Sequence, residues 1–174
     1  MSDSRESVIR WVVMGVSGCG KSTVGRLLAD ERGDAYVEGD VFHPPENVAK
    51  MSAGQPLDDA DRVDWLRALK EQVKGARERG VRLVISCSAL RRRYRDLLRE
   101  ADPALRFAHL HGPRELIAER LSARRDHYMP PLLLDSQLAA LEPLEPGEQG
   151  IRLDIRHAPA QLVREILASE HGPR

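Results

Sequence analysis

The sequence predicts an α/β protein: one parallel β-sheet covered by helices on both faces, in a single domain spanning residues 1–174. Three observations predict it. Short apolar runs alternate along the chain with stretches whose apolar residues recur every three or four positions, the signature of βαβ units. The first apolar run leads directly into a glycine-rich loop and then into a helical pattern, the strand–loop–helix order of an anion-binding turn in a parallel sheet. No internal repeat or linker divides the chain.

The elements follow in order. Trp11 to Met14 reads as a buried strand, and the helix after the loop runs through Val24, Leu27 and Leu28. Ala35 to Val37 reads as a second strand, closed by the turn signals around His43-Pro44-Pro45. Asp58 is placed to cap a long helix with apolar positions Val63, Leu66, Leu69 and Val73, ended by Gly80. Val81 to Ser86 is a third strand, and Arg91 to Glu100 a helix with Tyr94, Leu97 and Leu98 on one side. Leu105 to Leu110 is a fourth strand, after which Gly112-Pro113 opens a helix with proline at its first position. Ile151 to Ile155 is a fifth strand, and Pro159 starts the final helix. Residues 41–57 and 122–150 fit worst and read as substrate-covering loops.

Composition narrows the class. At 41% hydrophobic and 31% charged residues the chain is expected to be globular and soluble. Basic and acidic residues balance at 27 each, so no overall field draws it to nucleic acid or an anionic membrane. Its two cysteines, Cys19 and Cys87, suggest neither a disulfide framework nor a metal site. The polar N-terminus and the lack of any apolar run near ~20 residues lead to a cytoplasmic expectation.

The glycine-rich loop is Gly15-Val16-Ser17-Gly18-Cys19-Gly20-Lys21-Ser22-Thr23. Its glycines let successive N–H groups turn inward around an anion, and the following helix adds its N-terminal dipole. Lys21 is expected to reach the β- and γ-phosphates of ATP and Ser22 to ligate Mg²⁺. An Asn-Lys-x-Asp base-reading motif is missing, and Asp30 to Gly33 falls too close to the loop to be a GTPase switch. The third strand ends Ile85-Ser86-Cys87 without a carboxylate, which argues against a motor ATPase. Glu38-Gly39-Asp40 follows the second strand, where a parallel sheet lines its crevice. Asp40 is expected to accept the proton of an acceptor hydroxyl, and Glu38 to hold a water on Mg²⁺.

Three stretches taken together, MGVSGCGKST, GDVFHPPENVAKMSAGQPLDDADRVDWL and CSALRRRYRDLLR, resemble the gluconate kinases of the P-loop small-molecule kinases, relatives of the shikimate kinases. The resemblance runs from about residue 11 to residue 168. It implies transfer of the ATP γ-phosphoryl group to the 6-hydroxyl of D-gluconate. It also implies a five-stranded parallel sheet in order 2-3-1-4-5, a substrate-binding region over about 41–80, a lid over about 122–135, and a homodimer. A gluconate carboxylate calls for bidentate capture by arginine. By that resemblance Arg62 is the first choice, with Arg91 and Arg95 next, and His43 would hydrogen-bond a substrate hydroxyl. Arg62 pairing with Asp58 or Asp59, and an Arg91-Arg92-Arg93 face turned to solvent, are the bland alternatives. In the lid, Arg120 resembles the arginine that stacks on adenine, and Arg124 the one that neutralises the transferring phosphoryl, with Arg125 its rival. Two departures stand out: Glu38 where many members carry Asp, and Cys19 where Ser or Ala is usual. Beside Lys21 and a helix N-terminus, the Cys19 thiol is expected to have a lowered pKa. The competing readings are another small-molecule kinase, for shikimate or a nucleoside monophosphate, and an inactive ATP-binding regulatory module.

Overall fold

A computed structural model describes residues 8–124 and 131–172. Five short strands, β1 (Trp11–Met14), β2 (Ala35–Glu38), β3 (Leu83–Ser86), β4 (Arg106–His111) and β5 (Gly150–Asp154), form one sheet in the order β2-β3-β1-β4-β5. Every pairing is parallel, with Val12 opposite both Ile85 and Phe107 in the centre. Among the described residues six helices lie in the crossovers, α1 (Lys21–Arg32), α2 (Pro45–Ser52), α3 (Asp59–Glu78), α4 (Arg92–Ala101), α5 (Arg114–Ser122) and α6 (Pro131–Ala140), and α7 (Pro159–Glu170) follows the last strand.

The two-residue period of a strand divides the core. In β1, Trp11 and Val13 pack on the face covered by α1 and α7, with Val24, Leu28, Leu162 and Ile166. Val12 and Met14 point the other way, onto Trp65, Leu69 and Val73 of α3 and Leu98 of α4. Being buried on both faces is why β1 and β3 read as near-continuous apolar runs rather than alternating ones.

The structure adjusts several expected elements. Residues 41–57 and 122–150 hold α2 and α6, where loops were expected. Pro45 begins α2, whose Val48 stays exposed and whose one buried residue is the polar Asn47. In α3 the buried stripe is Trp65, Leu66, Leu69, Val73 and Ala76, whereas Val63 is 48% exposed. The third strand starts at Leu83, because Val81 closes the turn after α3 through its bond to the Ala76 carbonyl. Pro113 precedes the first turn of α5, which begins at Arg114. The expected lid falls partly on residues 125–130, outside the described residues, and so does Arg125. No described helix is long and apolar enough to cross a membrane.

Candidate active site

The carboxyl ends of β1, β2 and β3 open into a cleft of about 1060 Å³, lined among others by Ser17, Lys21, Glu38, Asp40, Arg62 and Arg124. The loop after β1 wraps the N-terminus of α1. Gly18 has a φ of 88°, and a Cβ there would come within 2.7 Å of Leu121, so glycine is required twice over. Lys21 donates from Nζ to the Val16 carbonyl across the loop at 3.0 Å.

Beside the lysine, the Ser22 hydroxyl donates to Glu38 Oε2 at 2.5 Å, and the Tyr36 hydroxyl donates to the same oxygen at 2.9 Å. The hydroxyl of α1 and the carboxylate ending β2 therefore meet. Both are hard oxygen donors, the kind Mg²⁺ takes in small number beside phosphate and water. The Glu38 side chain reaches Ser22 directly.

Asp40 lies on a 3-10 turn, Gly39–Phe42, that continues β2. The turn is pressed against the end of β3: a Cβ on Gly39 would stand 2.5 Å from the Ser86 carbonyl oxygen and 2.7 Å from Cys87 Cβ. From the other side, Trp65 Nε1 donates to the Gly39 carbonyl at 2.9 Å. Asp40 thus projects into the cleft from a backbone held on two sides. The His43 ring stacks on Trp65 at 4.5 Å between centroids and 10° between planes. Burial lowers the His43 pKa and Arg62 adds to this, while Asp40 opposes it.

Arg62 emerges from the first turns of α3. Asp58 caps that helix reciprocally with Asp61, and the Asp61 carboxylate also takes Lys50 of α2. The Arg62 Nη1 donates to the Tyr94 hydroxyl at 3.0 Å, and that hydroxyl donates to Asp59. Asp59 also pairs with Arg93 and lies 4.0 Å from Arg91, which is shared with Glu142. Among the described residues no carboxylate lies within salt-bridge distance of Arg62. The bland pairing with Asp58 or Asp59 is therefore not what the fold makes. Arg91 lines the cleft with its charge already divided between two carboxylates.

Arg95 does not reach the cleft, and this corrects its placement at the substrate. Its guanidinium is fully buried on the inner face of α4, bonded to both Glu148 carboxylate oxygens at 2.8 and 2.9 Å and to the Ala89 carbonyl. Tyr94, Leu98 and Ala101 share that buried stripe, a spacing that could have revealed it. The expectation for Cys19 is also corrected. Its thiol is buried at the foot of the loop, and burial raises its pKa against the opposing pull of Lys21.

A second hollow of about 230 Å³ lies on the far side of the loop, bordered by Gly20, Thr23, Arg120, Ile155 and Pro159. Arg120 is held there by a 2.7 Å bond from Nη2 to the Ile155 carbonyl. Arg124 borders both this hollow and the main cleft. Residues without a role in the sequence reading also converge. Gln137 of α6 accepts from the Ser17 amide at 2.8 Å, and Trp65, Tyr94 and Asp59 support the acceptor end.

A phosphate loop between strand and helix, a Ser–carboxylate pair beside its lysine, and an acidic turn facing a deep acceptor cleft define a P-loop kinase. A shikimate kinase family model matches residues 17–151. Gluconokinase of Gluconobacter oxydans (strain 621H) is 46% identical over 160 residues, covering 90% of this chain and 88% of that protein. The crystal structure of a gluconokinase from Sinorhizobium meliloti 1021 superposes with a TM-score of 0.86 at 44% identity, covering 95% and 93% of the two chains. An unliganded sugar kinase from Janibacter sp. HTCC2649 gives 0.88 at 52% identity, covering 92% and 93%. The chain carries a shikimate kinase-family domain and belongs to the gluconokinase family.

Proposed function

We propose that the protein transfers the γ-phosphoryl group of ATP to the 6-hydroxyl of D-gluconate, giving 6-phospho-D-gluconate and ADP. The observation that carries this reading is Arg62: a guanidinium with no carboxylate of the described residues within salt-bridge distance, oriented by the Tyr94 hydroxyl, in the cleft that Asp40 and Lys21 also line. A monoanionic polyol fits that arrangement, with its carboxylate on Arg62 and its far hydroxyl at Asp40.

In this reading Asp40 takes the 6-hydroxyl proton as the oxygen–phosphorus bond forms and the β–γ bridging bond breaks. Lys21 and Arg124 offset the charge on the transferring oxygens, and loop N–H groups hold the β-phosphate. Ser22 and Glu38 would hold Mg²⁺, which supplies charge neutralisation between the phosphates. The second hollow takes the adenine, with Arg120 packed along it. Residues 41–80 form the acceptor-binding region. We place the protein in the cytoplasm as a homodimer, a state that sedimentation of the purified protein would check.

The test is ADP release measured over a panel of gluconate, other sugar acids, shikimate and nucleoside monophosphates. Stimulation by gluconate above all others is expected. Stimulation by another acceptor in its place overturns the substrate, and ATP binding without turnover of any acceptor overturns catalysis.

A further inference from the structure

Asn47 is buried on α2, at the seam with the start of α3. Its Nδ2 lies 2.7 Å from the Asp61 carbonyl oxygen and 3.3 Å from Nδ1 of His43. A peptide carbonyl only accepts, so the amide group facing it must be the NH2, which only donates. Turning the amide over would set its oxygen against the Asp61 carbonyl and bury two acceptors face to face. The second N–H of the same nitrogen then aims at His43, and ring Nδ1 must offer its lone pair. A neutral imidazole with Nδ1 accepting carries its proton on Nε2. A proton on Nδ1 would instead oppose the Asn47 N–H donor to donor. The stack on Trp65 keeps the ring in this plane. Burial and Arg62 disfavour an imidazolium, with Asp40 pulling the other way.

We infer that Asn47 is a positioning residue that holds His43 as the neutral Nε2–H tautomer, making His43 a hydrogen-bond donor to a hydroxyl of the sugar-acid acceptor and not a proton acceptor. The inference rests on the reading of the cleft as the gluconate site. It divides the labour at the acceptor end: Asp40 alone receives the proton of the reacting hydroxyl. His43, close to both Asp40 and Arg62, serves a secondary hydroxyl. An N–H on the reacting oxygen would tie up the lone pair that attacks phosphorus.

Long-range proton–nitrogen correlation spectra of the ligand-free protein, labelled at histidine nitrogens, read the tautomer directly. The His43 signal, assigned by its loss in His43→Gln, is expected to show the Nε2–H pattern at neutral pH. In Asn47→Asp a carboxylate faces Nδ1, so the signal should move to Nδ1–H or imidazolium. The gluconate KM should rise roughly tenfold, the worth of about one hydrogen bond, while the KM for ATP stays put. Should Asn47→Asp lose its fold, a second pair decides. Glutamine at 43 places an amide nitrogen near the Nε2 position, and asparagine places one near Nδ1. His43→Gln is expected to keep a gluconate KM about tenfold below that of His43→Asn. An Nδ1–H or imidazolium signal in the wild type overturns the tautomer whatever the acceptor proves to be. Equal KM values for the two variants overturn the donor role. Failure of the gluconate reading shows separately, as wild-type protein that does not turn gluconate over, with the spectrum still deciding the tautomer.

Discussion

Asp40 and Arg62 stand in the same cleft but on different supports, and their substitutions should separate kinetically. Asp40→Asn keeps the shape of the turn and removes the proton acceptor, so kcat should fall by roughly 10²–10⁴ with ATP binding nearly intact. Arg62→Lys keeps the charge and loses the fork, so its loss should appear mainly in the gluconate KM. Steady-state kinetics on both variants, with nucleotide binding by calorimetry, checks the split; turnover by Asp40→Asn within a few-fold of wild type would remove its role as base. The nearby residues that make these two effective were hard to read in advance. Trp65 supports the backbone of Gly39 from 26 positions away, and Gln137 meets Ser17 across 120. Such contacts depend on the closed topology, and no local spacing encodes them. For Arg95 the spacing to Leu98 and Ala101 marked the buried face, and only the partner lay beyond local reach. The arginine looked like a spare cation because its partner Glu148 is 53 residues distant.

Among the elements, α3 joins stability most directly to the acceptor site. Its C-terminal turns are core, with Leu69, Val73 and Ala76 fully buried, while its first turns carry Arg62 and Trp65. The reciprocal Asp58–Asp61 cap fixes where those first turns begin. Asp58→Ala should lower stability by about 1 kcal/mol in denaturant titrations and raise the gluconate KM, because a frayed first turn lets Arg62 wander. An unaltered KM with the stability loss intact would show that Tyr94 alone orients the guanidinium. The cap was legible because Asp58 precedes a long periodic stretch. Strand β1 was legible to the residue because a four-residue apolar run ending at a glycine-rich loop is too short for a helix. The helices α2 and α6 were not, since each offers few buried apolar positions along its length. In α2 the signals were prolines and polar residues, which loops share, and in α6 the apolar residues cluster without a helical period.

For the molecule as a whole, buried ionisable groups set how stability responds to acid. Burial, with His111 and Arg152 adding, brings the pKa of His109 down to about 4. The unfolded chain therefore binds a proton that the folded one refuses, and stability should decline as pH falls from 6.5 toward 4. Burial raises Glu148, but hydrogen bonds from Arg95, the Glu145 amide and Arg99 outweigh it and hold the pKa at about 2. That carboxylate stabilises the fold above pH 4.5, and its contribution is lost as pH falls through about 2. Thermal unfolding across pH should show both limbs, and Glu148→Gln should lower Tm at neutral pH and make the lower limb shallower, with Asp61, Asp135 and Asp154 supplying the remainder. The wrap of parallel sheet that buries these groups also divides the ligand space. The phosphate loop is a ridge between two hollows, and Arg124 stands at the border of each. One molecule spanning that ridge, adenosine joined through an oligophosphate to a sugar acid, would give up translational freedom once instead of twice. Inhibitors built to that outline would spare P-loop proteins that lack an arginine like Arg62 at the far end.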